Sequence, residues 1–102
     1  MPKEVRLVYE ARMELRDIAA FHKEKVGVHS ARKITDKILN SLERLADFPE
    51  MGFVPPVKMV AEAGYRVLAV KDYLCFYRVE EKAIFVYHIV HGSTDYIRRI
   101  FR

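Results

Sequence analysis

The sequence of 102 residues contains one cysteine, four glycines and no tryptophan. With Cys75 as its only thiol, the chain forms neither an internal disulfide nor a multi-cysteine zinc site. No apolar run approaches the roughly 18 residues that cross a membrane, and the first residues lack the apolar core of a secretory signal. These absences predict a cytoplasmic protein in a reducing environment, with no membrane partner.

Motifs that bind cofactors are missing as well. The four histidines show no HExxH spacing, and the sequence has neither a Walker loop nor a GxGxxG motif. The glycines are isolated, at positions typical of turns and helix ends. We therefore expect no cofactor and no metal site.

The composition is that of one globular domain spanning residues 1–102. Hydrophobic residues make up 51% of the chain and charged residues 31%, which provides for a single core. The net charge of +4 is evenly shared, since residues 1–48 hold ten basic and eight acidic residues and residues 49–102 hold eight and six. Only the segment Tyr96–Arg102 carries charge of one sign, with three arginines and no acid. This surplus permits an acidic or nucleic-acid partner without requiring one.

Two helices are predicted in the first half, after a short strand over Lys3–Tyr9. From Glu10 the apolar residues follow helical spacing as far as Val26, and Gly27 is placed to end this helix. Ser30 is placed to cap a second helix, which carries one apolar stripe and ends near Phe48, before Pro49. The short connection predicts an antiparallel helical hairpin.

The second half changes to β-branched and aromatic residues after a Pro/Gly loop over residues 49–64. Its predicted strands are Tyr65–Val70, Leu74–Val79 and Ala83–Val90. In the last strand, alternation predicts that one side holds Ile84, Val86, His88 and Val90, and the other Phe85, Tyr87, Ile89 and His91. A short helix over residues 96–101 follows. The order β-α-α-β-β-β-α predicts an α+β fold, with the helical hairpin packed on a small, mostly antiparallel sheet.

Histidines and basic side chains are the candidates for chemistry. His91 has the acid–base range that catalysis near neutral pH requires, although a buried or strand-end structural histidine is the more common case. His88 lies three residues away, so the two histidines are expected on opposite faces. If the basic residues converge, they form a concavity that attracts phosphate; otherwise each is a solvated surface position. These residues are Arg66, Lys71, Arg78, Arg98, Arg99 and Arg102.

The second half resembles the RelE/ParE superfamily, the small toxins of type II toxin–antitoxin modules. The resemblance is carried by Tyr65–Leu68, by Tyr73–Glu80 with its FYRV sequence, and by Ile84–Asp95 with HIVHGSTD. It extends over essentially the whole chain and implies the same α+β fold. The VHGSTD sequence looks closer to the ParE branch.

The resemblance implies one of two activities. RelE-like members are ribosome-dependent mRNA endoribonucleases (mRNA interferases), and in such an enzyme His91, Tyr96 and Arg66 would be the catalytic residues here. ParE-like members inhibit DNA gyrase without nuclease residues. This chain has Leu68 and Leu74 at positions that are basic in many nucleases, which favours the ParE-like activity. A third alternative is an inactive member that only binds antitoxin.

All three alternatives imply a cognate antitoxin and hence a hetero-oligomer. The partner is expected to be a small protein whose acidic, partly disordered segment folds on binding. It is expected to cover the sheet groove and its basic rim. The residues expected to bind the antitoxin or the target are Arg66, Lys71, Arg78, Arg98, Arg99 and Arg102.

Overall fold

The computed structural model describes residues 2–101. Four strands form one sheet in the order β1-β4-β3-β2, in which β1 is parallel to β4 and the other pairs are antiparallel. The predicted α+β fold is confirmed. The elements are β1 (Glu4–Leu7), α1 (Tyr9–Lys25), α2 (Val28–Glu43), a 3₁₀ turn (Arg44–Ala46), α3 (Lys58–Glu62), β2 (Arg66–Val70), β3 (Tyr73–Val79), β4 (Ala83–His91) and α4 (Tyr96–Phe101).

The reversal between α1 and α2 depends on Gly27. Its φ of 134° lies in a region that side chains disfavour, and its N–H donates to the carbonyl of His22 at 3.0 Å. Gly27 therefore ends α1 as predicted. The prediction that Ser30 caps α2 is wrong, because α2 already begins at Val28. The Ser30 hydroxyl instead lies 3.4 Å from Nδ1 of His22.

Apolar side chains cover both faces of the sheet. On the hairpin face, Ile38 and Leu42 of α2 pack in one cluster with Tyr77 and Ile84 of the sheet. On the other face, here called the outer face, Phe76 packs in a second cluster with side chains of α3 and α4. Both clusters include fully buried large side chains, each worth about 1.5–3 kcal/mol of burial.

A β-bulge in β4 corrects the predicted alternation of this strand. Phe76 pairs with His88, but the next residue of β3, Tyr77, pairs with Val86, so Tyr87 is the extra residue. After the bulge the side-chain phase is reversed, which puts His88 on the outer face with Phe76. His91 pairs with Tyr73 on the hairpin face. The two histidines therefore lie on opposite faces, as predicted.

The segment between α2 and β2 is more ordered than the predicted loop. It contains α3, in which Val60 is fully buried on the outer face. Five residues are too few to give a helical period, so this helix depends on its tertiary contact. No helix within residues 2–101 is both long enough and apolar enough to span a membrane.

Candidate functional site

The predicted basic residues do not converge in the structure. Arg66 Nη2 donates to the carbonyls of Glu50 at 3.1 Å and Gly52 at 2.7 Å, and its Nε is buried without a partner among the described residues. Arg66 thus holds the loop before β2 in place. Arg78 lies at the opposite face, over the rings of Tyr65 and Tyr87 at 5.9 and 5.5 Å.

The C-terminal arginines diverge from each other. Arg98 is exposed and lies 3.7 Å from a carboxylate oxygen of Asp95. Arg99 points towards the core, where its Nη1 donates to Oε2 of Glu14 at 3.0 Å. Arg102 lies outside the described residues.

The three residues proposed for a nuclease are separated as well. His91 packs against Tyr73 on the hairpin face, with ring centroids 5.6 Å apart. The Tyr96 ring lies 4.9 Å from that of Phe76, on the outer face. Arg66 pairs with Tyr77 of β3, whereas His91 pairs with Tyr73. At 3.3 Å per residue, these two positions lie about 13 Å apart along β3. One phosphate group cannot contact all three side chains in this arrangement.

Glu14 forms a buried polar centre that sequence reasoning missed. Strand β1 pairs with β4 only as far as Val86, so the next stretch of β4 has an unpaired edge. Glu14 of α1 covers that edge, and its Oε1 accepts the N–H of Ile89 at 2.9 Å. Its Oε2 accepts from Arg99 and from Nδ1–H of His88 at 3.3 Å. The carboxylate thus accepts a backbone N–H of β4 that has no partner in β1.

The electrostatics at Glu14 favour its ionised form. Burial by itself raises the pKa of the Glu14 carboxyl, but hydrogen bonds from His88, Ile89 and Arg99 outweigh it and hold the pKa below its usual value. Glu10, Glu14 and His88 bring potential metal-ligand atoms within 4.8 Å of one another. The Arg99 guanidinium supplies a cation at Glu14.

A cavity of about 490 Å³ lies at the turn end of the hairpin, where α1 ends and α2 begins. At its wall, Nε2 of His22 lies 3.1 Å from the hydroxyl of Tyr73, whose pKa is raised by burial and by the nearby charge of Asp72. The rim includes His91, where the Ser93 N–H donates to Nδ1 at 3.1 Å. This bond leaves the proton of the neutral ring on Nε2. The residues that line the cavity include His22, Lys33, Lys37, Lys71, Tyr73 and His91.

A groove of about 640 Å³ runs between α1, α2 and β1. Its floor is apolar and includes Leu15 and Leu39. Glu4, Arg6, Arg12 and Arg16 line it, and Glu4 pairs with Arg6 at 2.9 Å. Arg12 and Arg16 are four residues apart on one face of α1. This spacing is visible in the sequence, but it is also typical of an ordinary solvated helix face.

Comparison with known proteins agrees with this architecture. A solved structure titled "Chromosomal ParDE TA system from P. aeruginosa" superposes with a TM-score of 0.75 at 20% sequence identity, over 87% of this chain and 95% of that one. No curated protein sequence matches significantly. Residues 5–96 match the family described as "ParE toxin of type II toxin-antitoxin system, parDE". The match extends from β1 to the first residue of α4 and confirms the resemblance and its ParE-like branch. This chain belongs to the ParE toxin family.

Proposed function

We propose that this protein is a toxin that binds and inhibits DNA gyrase without nuclease chemistry of its own, and that a cognate antitoxin neutralises it. Membership of the ParE toxin family supports the toxin role. The preference for gyrase inhibition over RNA cleavage rests on the separation of the three nuclease candidates.

General acid–base catalysis requires the participating groups within hydrogen-bond reach of one reacting phosphate. His91 and Tyr96 lie on opposite faces of the sheet, packed on Tyr73 and Phe76. The Arg66 guanidinium donates to backbone carbonyls at the other end of β3. A phosphorane formed beside His91 therefore has no Arg66 to stabilise its charge, which favours a binding module over an enzyme.

Paired assays on the purified chain test this proposal. We expect supercoiling by gyrase to stop, or cleaved DNA to accumulate, at a stoichiometric excess of toxin, while mRNA on translating ribosomes stays intact. Codon-positioned cuts that require ribosomes would replace gyrase inhibition with the RelE-like activity. Expression without growth arrest, together with no effect in either assay, would leave only an inactive antitoxin-binding protein.

We further assign the groove between α1, α2 and β1 to the antitoxin. An amphipathic helix places its apolar side chains in such a groove and its charged side chains at the rim. Here the floor includes Leu15 and Leu39. The rim carries Arg6, which pairs with Glu4 at 2.9 Å, and the cations of Arg12 and Arg16, so its net charge is positive. The occupant that fits this charge is an acidic segment of the antitoxin, which folds as it binds.

A further inference from the structure

The cavity at the turn end of the hairpin carries a net positive charge. Lys33, Lys37 and Lys71 line it, whereas Asp72 is the only acid among the described residues that line it. None of these three lysines forms an ion pair with a carboxylate within residues 2–101. Lys33 and Lys37 are four residues apart on α2, where like charges repel each other. One carboxylate therefore faces three ammonium groups, which leaves the lining with surplus positive charge.

Lys71 holds a backbone conformation that lysine disfavours. It begins the tight turn between Val70 and Tyr73, with φ at 55°. Glycine and asparagine adopt this left-handed conformation more readily than lysine does. Turn geometry therefore does not account for a lysine at this position, but a cationic side chain on the cavity rim does.

The other walls of the cavity offer polar groups and aromatic surface. His22 bridges the Tyr73 hydroxyl and the Ser30 hydroxyl through its two ring nitrogens, at 3.1 and 3.4 Å. Phe21 lines the mouth and is 56% exposed, and the exposed His91 lines the same cavity. Aromatic side chains of this kind stack on nucleic-acid bases. A volume of about 490 Å³ also falls in the range of small-molecule sites.

We propose that this cavity binds a nucleoside phosphate, with Lys33, Lys37 and Lys71 holding the phosphate and Phe21 and His91 contacting the base. Ammonium groups bind phosphate as point charges. The site lies on the hairpin side of the sheet, at the end of α1 and the start of α2. It is separate from the groove assigned to the antitoxin, since no residue between positions 2 and 101 lines both.

The test is an NMR titration of the full-length chain with adenosine monophosphate and, separately, with inorganic phosphate. We expect saturable shifts at the amides of the turn that contains Lys71 and of the first turn of α2. The nucleotide should bind about tenfold more tightly than inorganic phosphate, because it adds the base contact. The absence of saturation at about 10 mM of either compound, or equal affinity for the two, would overturn the proposal.

Lys71→Asn is the discriminating variant, because asparagine suits the turn. It should weaken nucleotide binding about fivefold, the order of one charged contact, while the melting temperature stays the same or rises. Lys82→Asn is the matched control, since it removes one charge from the turn between β3 and β4, outside the cavity. We expect it to leave affinity unchanged. An equal loss in both variants would show a general charge effect and contradict the site.

Discussion

At the scale of single residues, Glu14 provides the hydrogen bonds at the edge of β4 that β1 leaves unpaired. Its carboxylate accepts the Ile89 N–H that β1 is too short to reach. It also receives hydrogen bonds from His88 and Arg99. One side chain thus connects α1, β4 and α4, and its ionised state is part of the folded structure.

We predict that Glu14→Gln destabilises the protein by about 2 kcal/mol, the order of a lost charged hydrogen bond. The folded-state pKa of Glu14 lies below its usual 4.5. Its contribution to the free energy of unfolding is therefore complete above that pH and decreases as the pH falls towards the folded-state pKa. Urea unfolding of both proteins between pH 3 and 7 (roughly the range over which carboxyls titrate) measures the effect.

The difference in the free energy of unfolding between wild type and Glu14→Gln should decrease as the pH is lowered. Asp17→Asn is a suitable control, because Asp17 is exposed on the same helix and should change stability little at any pH. Parallel pH curves for wild type and Glu14→Gln would contradict the assigned role.

Cys75 gives a second prediction at this scale. Its side chain is fully buried, and burial raises the pKa of the thiol to about 12. Because the thiolate is the reactive form, we expect no reaction with a thiol reagent near neutral pH in the native protein. One thiol per chain should react in denaturant. Rapid native labelling in an absorbance assay would show that β3 opens.

At the scale of elements, the loop before β2 is fixed by hydrogen bonds from the sheet. The Tyr77 hydroxyl accepts from the Gly52 N–H at 3.0 Å and donates to the Pro49 carbonyl at 2.7 Å. Arg66 donates to the Gly52 carbonyl. The loop therefore packs directly on β2 and β3, and a side chain at Gly52 has no space.

We predict that Gly52→Ala lowers the free energy of unfolding by about 1–3 kcal/mol, the usual effect of overpacking. A Cβ there would lie 2.5 Å from the carbonyl oxygen of Val67 and 2.7 Å from the Tyr77 hydroxyl. Gly92→Ala is the control, because its Cβ would meet the Asp72 carbonyl at an ordinary 3.5 Å. Thermal unfolding of both variants provides the measurement, and equal melting temperatures would contradict the close approach.

At the scale of the whole molecule, the modest net charge of +4 is distributed over distinct surfaces. Arg78 lies on the outer face over Tyr65 and Tyr87. The groove between α1, α2 and β1 carries arginines, whereas the cavity at the turn end of the hairpin carries lysines. This separation allows different partners to bind without competing for one basic patch.

We predict that Arg16→Glu weakens the complex with the antitoxin at least about tenfold, because it places like charge against an acidic segment. The toxin itself should still arrest growth when expressed alone. Lys23→Glu makes the same charge change on α1 outside the groove and should leave the affinity nearly unchanged. Calorimetry of each variant with the antitoxin measures the effect, and equal losses would assign it to net charge.

Much of the fold follows from local patterns in the sequence. The apolar stripe of α2 and the glycine at position 27 predict the hairpin, since both act within a few residues. The alternation in β4 was predictable only as far as Val86, because the bulge at Tyr87 reverses the phase. Helix α3 was also missed, since Val60 is held by packing on the outer face rather than by a period of its own.

The α+β class, the order of every helix and strand except α3, and the resemblance to ParE-like toxins follow from the sequence, because they depend on periodicity and on short segments such as FYRV and HIVHGSTD. Which charged groups come into contact depends on the tertiary structure. Arg66, His91 and Tyr96 are separated because strand pairing and face, not distance along the chain, set their positions. Glu14, His88 and Arg99 come together for the same reason, from three different elements.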